Sequence, residues 1–197
     1  MNEEIHLLIK SSLALTALLN PLSVTPIFLS ITDSKKVEEF KPIAFKATCT
    51  VGVVLAISIF LGEHILTFFG ISISSFKMAG GIIIFLMALS MVNAKSPRAK
   101  VTASEISEAE DNSDDDISIV PLGFPLLAGP GTISTVIIYS ATFNSIWSKP
   151  IFVVYCLILC YFIYVSLSFS QAIMNKLGNT GINVVSRVMG ILLAAMA

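Results

Sequence analysis

The chain has 197 residues, of which 55% are hydrophobic and 13% charged, with a mean hydropathy of +0.87 and a formal net charge of -1. Such a composition excludes a soluble domain with a solvated surface, and the absence of a basic stripe excludes a nucleic-acid partner. The chain reads as an all-α polytopic membrane protein in contact with the lipid bilayer.

Met1-Asn2-Glu3-Glu4 leads into a long apolar run with neither a basic n-region nor a small-residue cleavage site, so no removable signal peptide is expected. A span of ~20 residues crosses the ~30 Å hydrocarbon core. Six runs qualify: near Ile5 to Ile31, Ile43 to Gly62 or further, Ile71 to Asn93, Ile119 to Phe143, Ile151 to Ser170, and Ile182 to the end.

The first run is interrupted by Asn20-Pro21-Leu22-Ser23-Val24-Thr25-Pro26. A proline inside a helix removes a donor and clashes with the preceding turn, at a cost of ~3 kcal/mol, and hydrocarbon offers no water to the freed carbonyls. The fourth run repeats the pattern as Gly129-Pro130-Gly131-Thr132-Ile133-Ser134-Thr135, so that Ser23 and Thr25 match Thr132 and Ser134. Asn20 before Pro21, and Gly129 before Pro130, also read as helix starts. Each would place a helix N-terminus, with about half a positive charge and unpaired N-H groups, near the midplane. That is chemistry for an anion. The plainer alternative is a pair of proline kinks used for packing.

Lys35, Lys36 and Lys41 follow span one, Lys95, Arg98 and Lys100 follow span three, and Lys176 follows span five, against Lys149 alone on the other side. The odd loops are therefore expected in the cytoplasm and both termini outside. Residues 94-118 carry Glu105, Glu108, Glu110, Asp111, Asp114, Asp115 and Asp116 with few apolar residues, as in a disordered linker.

The linker separates two halves, 1-93 and 119-197, that share spacings. Pro21 to Pro42 is 21 residues and Pro130 to Pro150 is 20; Pro42 to Gly70 and Pro150 to Gly178 are both 28. Pro21 to Lys77 is 56 against 57 from Pro130 to Arg187, and Pro21 to Gly80 is 59 against 60 from Pro130 to Gly190. Three spans per half make the second half enter from the opposite face. The expected fold is six transmembrane helices in two inverted three-helix repeats, the first helix of each broken at the midplane, as in secondary transporters. By the same register the last span should reach about position 203, so a longer natural chain is expected.

Asn20-Pro21 followed by Pro26-Ile27-Phe28-Leu29 in span one, Pro125-Leu126-Leu127-Ala128-Gly129-Pro130-Gly131-Thr132-Ile133 in span four, and Arg187-Val188-Met189-Gly190 in the last span resemble the MarC family of bacterial and archaeal inner-membrane proteins. The resemblance covers nearly the whole chain. It implies an inner-membrane location and similarity to a small-neutral-amino-acid transporter. The chain departs from the usual first motif at Ser23, where glycine is common, which narrows the space beside the break.

Glu63 and His64 end span two and Gln171 matches Glu63 in the other half, a placement suited to proton coupling or to the membrane interface. Lys77 and Arg187 recur at matched positions, where a cation meets a carboxylate or snorkels to the head groups. Gly80, Gly81 and Gly190 read as helix-packing points. Cys49, Cys156 and Cys160 lack CxxC spacing, so neither a metal nor a cofactor is expected.

No GxSxG motif, metal cluster or paired membrane carboxylates point to an enzyme. The leading expectation is a secondary transporter for glycine-, alanine- or serine-like solutes, coupled to H+ or Na+. Its substrate site is expected at Asn20, Pro21, Ser23, Thr25, Gly129, Pro130, Gly131, Thr132 and Ser134. A passive channel and a non-transport membrane protein are the alternatives.

Overall fold

In the computed structural model, residues 2-32, 37-93, 127-143 and 147-197 are described. Among them the chain forms seven α-helices, one 3-10 turn (Val37–Glu39) and no strand. The helices are α1 (Asn2–Leu19), α2 (Pro21–Ile31), α3 (Phe40–Phe68), α4 (Ile73–Val92), α5 (Pro130–Thr142), α6 (Ser148–Ser168) and α7 (Ser170–Met196). The acidic linker, Lys35 and Lys36, and the first part of the fourth span lie outside the described residues.

Five stretches are long and apolar enough to cross a membrane: Glu3–Ser30, Phe40–Phe68, Ile73–Val92, Ser148–Ser168 and Ser170–Met196. The 13-residue α5 is only ~20 Å long at 1.5 Å per residue, too short to cross alone. In α3, Phe40, Ile43, Ala44, Ala47, Thr48, Val51, Leu55, Ser58, Ile59, Gly62 and Leu66 are buried, a stripe at helical spacing. The other face, with Phe45, Val53, Ile57 and Phe60, is equally apolar but exposed. A helix that is apolar all round while half its surface is uncovered belongs in lipid.

The fifth and sixth spans divide differently from the sequence reading. α6 stops at Ser168, the chain bends at Phe169 (φ -106, ψ 22), and helix resumes at Ser170. The true turn is Gly178, at φ 64 and ψ 175 inside Ser170–Met196. Gln171, Asn175 and Lys176 are polar yet tolerated in a helix, so the chain keeps its helical course until a residue without a Cβ permits positive φ. Gly70, between α3 and α4, has φ 68.

The helices of residues 2-93 pack chiefly against those of residues 127-197. α4 packs on α7, α3 on α6, α2 on α7 and α6, α5 on α3 and α4, and α1 on α5, α6 and α7. α4 and α7 are antiparallel, since Gly81 lies beside Ala197 while Gly190 lies beside Ala88, Met91 and Val92. Gly190 is a packing point: an added Cβ would sit 3.0 Å from the Ala88 carbonyl oxygen and 3.0 Å from the Val92 nitrogen. The main core joins Leu15, Leu19, Phe28, Val51, Leu55, Val136, Phe152, Ile163 and Leu167, drawn from both parts of the chain. Neither part buries its apolar faces alone.

Candidate functional site

The first break begins where α1 runs out of donors. Asn20 N-H closes the last turn on Thr16 O at 3.1 Å, and Pro21, with no N-H, cannot continue the ladder. The residue before a proline avoids the helical region, and asparagine tolerates positive φ better than most. Asn20 accordingly sits at φ 27 and ψ 72. Ser23 N-H then bonds Asn20 O at 3.0 Å, and α2 starts at Pro21. Pro26 falls inside α2 and removes a second donor.

Asn20 does not act as an N-cap through its side chain, which makes no cap hydrogen bond. The residue is 5% exposed and its amide Nδ2 has no hydrogen-bond partner. A buried donor without an acceptor costs ~1–3 kcal/mol.

At the second break, Gly129 is extended (φ -71, ψ 173), and Ile133 N-H bonds its carbonyl at 3.1 Å to open α5. Thr132 Oγ1 donates to Leu127 O at 3.4 Å, and Thr135 Oγ1 donates to Gly131 O at 2.8 Å. Gly131, Thr132, Ser134 and Thr135 are buried, whereas Pro130 is exposed. The two breaks are neighbours in space. A Cβ on Gly131 would meet Met87 Sδ at 2.5 Å and Leu18 Cδ2 at 3.5 Å, and Leu18 lies two residues before Asn20.

The hydroxyls of the two motifs have separate partners. Thr25 Oγ1 donates to Pro21 O at 3.3 Å, Ser23 shares a hydrogen bond with Ser186 of α7, and Ser134 packs against Gly80. Thr25 and Thr132 thus satisfy carbonyls around their own breaks, which hydrocarbon could not do. What remains unsatisfied at the first break is an amide donor. Together with the first-turn N-H groups of two adjacent helix starts, it suits a carboxylate more than a cation.

A description of the MarC family of integral membrane proteins matches residues 5–197. The chain belongs to the MarC family. Among its relatives, UPF0056 membrane protein BU267 of Buchnera aphidicola is 40% identical over 98% of this chain and 89% of its own length. UPF0056 membrane protein YhcE of Escherichia coli is 37% identical over 95% of this chain and 86% of its own. The archaeal UPF0056 membrane protein MJ1677 of Methanocaldococcus jannaschii is 35% identical over 92% and 87%. No solved structure matches the chain.

In this MarC protein the three candidate coupling residues lie apart from the break residues' hydrogen bonds. Glu63 is partly exposed and faces Lys149 of α6 at 3.9 Å. Arg187 is exposed on α7, next to the Ser186 that meets Ser23. Lys77 lines a cavity of about 160 Å³ with Thr135 and Tyr139 of α5.

Several polar residues that hold the site were passed over in the sequence. Tyr155 Oη donates to Ser12 O at 2.7 Å and also meets Thr16, fastening α6 to the helix that ends at Asn20. Ser186 anchors α2. A signal for Thr135 and Tyr139 was present in the four-residue spacing Gly131, Thr135, Tyr139, which puts all three on one face of α5.

Proposed function

We propose that this MarC protein is a secondary transporter of small neutral amino acids, working by alternating access around the two helix breaks. The observation that carries this reading is the buried, partnerless Nδ2 of Asn20 beside the starts of α2 and α5. The substrate carboxylate fits the amide donor and the first-turn N-H groups, and its ammonium fits carbonyls near Leu18, Leu19, Leu127 and Ala128. The narrow space at Gly131, bounded by Met87 and Leu18, favours glycine, alanine or serine.

Two inverted repeats, residues 1-93 and 119-197 joined by the 94-118 linker, supply the mechanical frame. A two-fold axis in the membrane plane would exchange α3 with α6 and α4 with α7, pairs that pack on one another. It would also turn the α2 contacts with α7 and α6 into those of α5 with α4 and α3. The matched glycines Gly70 and Gly178 have φ 68 and φ 64, alike as equivalent turns would be. With the lysine-rich loops in the cytoplasm, both termini face outward and the protein sits in the cytoplasmic membrane. Coupling to H+ or Na+ supplies the driving force, with Glu63 the candidate proton carrier.

Binding to purified protein tests the site. Asn20→Ala and Thr132→Val are each expected to weaken glycine or alanine binding more than tenfold, ~1.4 kcal/mol or more, while the protein remains folded. Equal, negligible effects of both would make the breaks structural kinks.

A further inference from the structure

The cavity beside Lys77 lies off the breaks yet leads toward them. Its walls include Lys77 from α4 and Thr135 and Tyr139 from α5, and its apolar side includes Ile84 and Leu193. At about 160 Å³ it has room for roughly five waters at ~30 Å³ each, hence for a small amino acid. Lys77 is exposed, and no acidic side chain pairs with it among the described residues. An ionisable residue in a membrane helix without a counter-ion is costly unless it faces water or a ligand.

The polar face of α5 links this cavity to the second break. Tyr139, Thr135 and Gly131 are spaced by four and share that face, and the Thr135 hydroxyl donates to Gly131 O at 2.8 Å. Between cavity and break stands a small apolar cluster separate from the main core: Ala17, Leu18, Ala88 and Leu193, with Ile84 and Met87 packed against it. Leu193 and Ile84 belong both to this cluster and to the cavity wall. Met87 and Leu18 also close over Gly131. A thioether is the most deformable of apolar plugs.

We propose that the Lys77-Thr135-Tyr139 cavity is a capture site for the carboxylate of an incoming solute, held apart from the helix breaks by the Met87 plug. The proposal rests on the transporter reading and adds a second station to it. Lys77 supplies the charge that draws the anion, Tyr139 a hydroxyl donor, and Thr135 a polar step toward the α5 N-terminus. The site serves one face of the membrane only, because the matching cation, Arg187, lies on the other end of the two-fold relation.

The test is glycine and alanine uptake by the full chain in right-side-out and everted vesicles. Lys77→Gln should raise KM about tenfold from the Lys77 face and less than twofold from the other; Lys77→Arg should recover most of the loss, and Tyr139→Phe should raise KM about threefold on the same face. Uptake from that face should also slow with added salt in the wild type and not in Lys77→Gln. An unchanged KM, or an equal rise from both faces, overturns the capture site. Asn20→Ala is run alongside and should impair uptake from both faces. If it does so while Lys77→Gln is silent, the capture site alone fails; if Asn20→Ala is silent, the transporter site itself fails.

Discussion

Replacing Asn20 with glycine should stabilise the ligand-free protein while abolishing its binding. The unpaired Nδ2, in a residue only 5% exposed, costs ~1–3 kcal/mol. Holding a side chain at φ 27 costs ~1 kcal/mol more, even for asparagine. Glycine removes both penalties and returns ~0.5–1 kcal/mol through its greater freedom in the unfolded chain. The net gain is ~2 kcal/mol. Asn20→Ala removes only the unpaired donor, so it should gain ~1 kcal/mol less. Reversible SDS unfolding in mixed micelles, with and without glycine, reads both quantities. Glycine at a hundred times its Kd should add ~2.7 kcal/mol to the wild type and almost nothing to either variant. A destabilised Asn20→Gly protein, or one that glycine still stabilises fully, would show that Asn20 is a structural cap and not a ligand group.

Gly70→Ala and Gly178→Ala should each cost ~1 kcal/mol, because nothing lies within 4 Å of either added Cβ and the positive φ alone is penalised; unequal unfolding energies would speak against the equivalence of the two turns. Gly190→Ala should cost ~2 kcal/mol or more, since its new methyl meets the backbone of α4 at 3.0 Å, whereas Gly131→Ala should cost less because the nearest atom is the flexible Met87 Sδ; the order of the two melting temperatures checks this. Glu63→Gln should leave stability within ~1 kcal/mol, as expected of a partly exposed ion pair with Lys149. If Glu63 carries the proton, the same variant should lose transport driven by a pH gradient and keep counterflow exchange; an unchanged pH dependence would assign it to the interface.

The local grammar of the breaks was legible in the sequence, because a proline deletes a donor wherever it falls. Asn20-Pro21 and Gly129-Pro130 could be placed to the residue as helix starts. The spacing of Gly70 and Gly178 was legible too, although the sixth span was set at Ile182, past a turn that the structure places at Gly178. Partners were not legible. Whether Ser23 faces a cavity or Ser186, and whether Thr132 faces solute or Leu127 O, depends on helix rotation and crossing. In a chain whose helices are apolar all round, periodicity says little about which face meets protein. For the same reason Glu63 could be set at a span end, but its pairing with Lys149 could not be foreseen.

The central claim is tested most directly by radiolabelled glycine, alanine or serine uptake into proteoliposomes under an imposed H+ or Na+ gradient. The account predicts saturable accumulation above the external concentration, which collapses when the gradient is dissipated and is lost in Asn20→Ala. Uptake that never exceeds equilibration and rises linearly with concentration, or no uptake of any of the three, would contradict it.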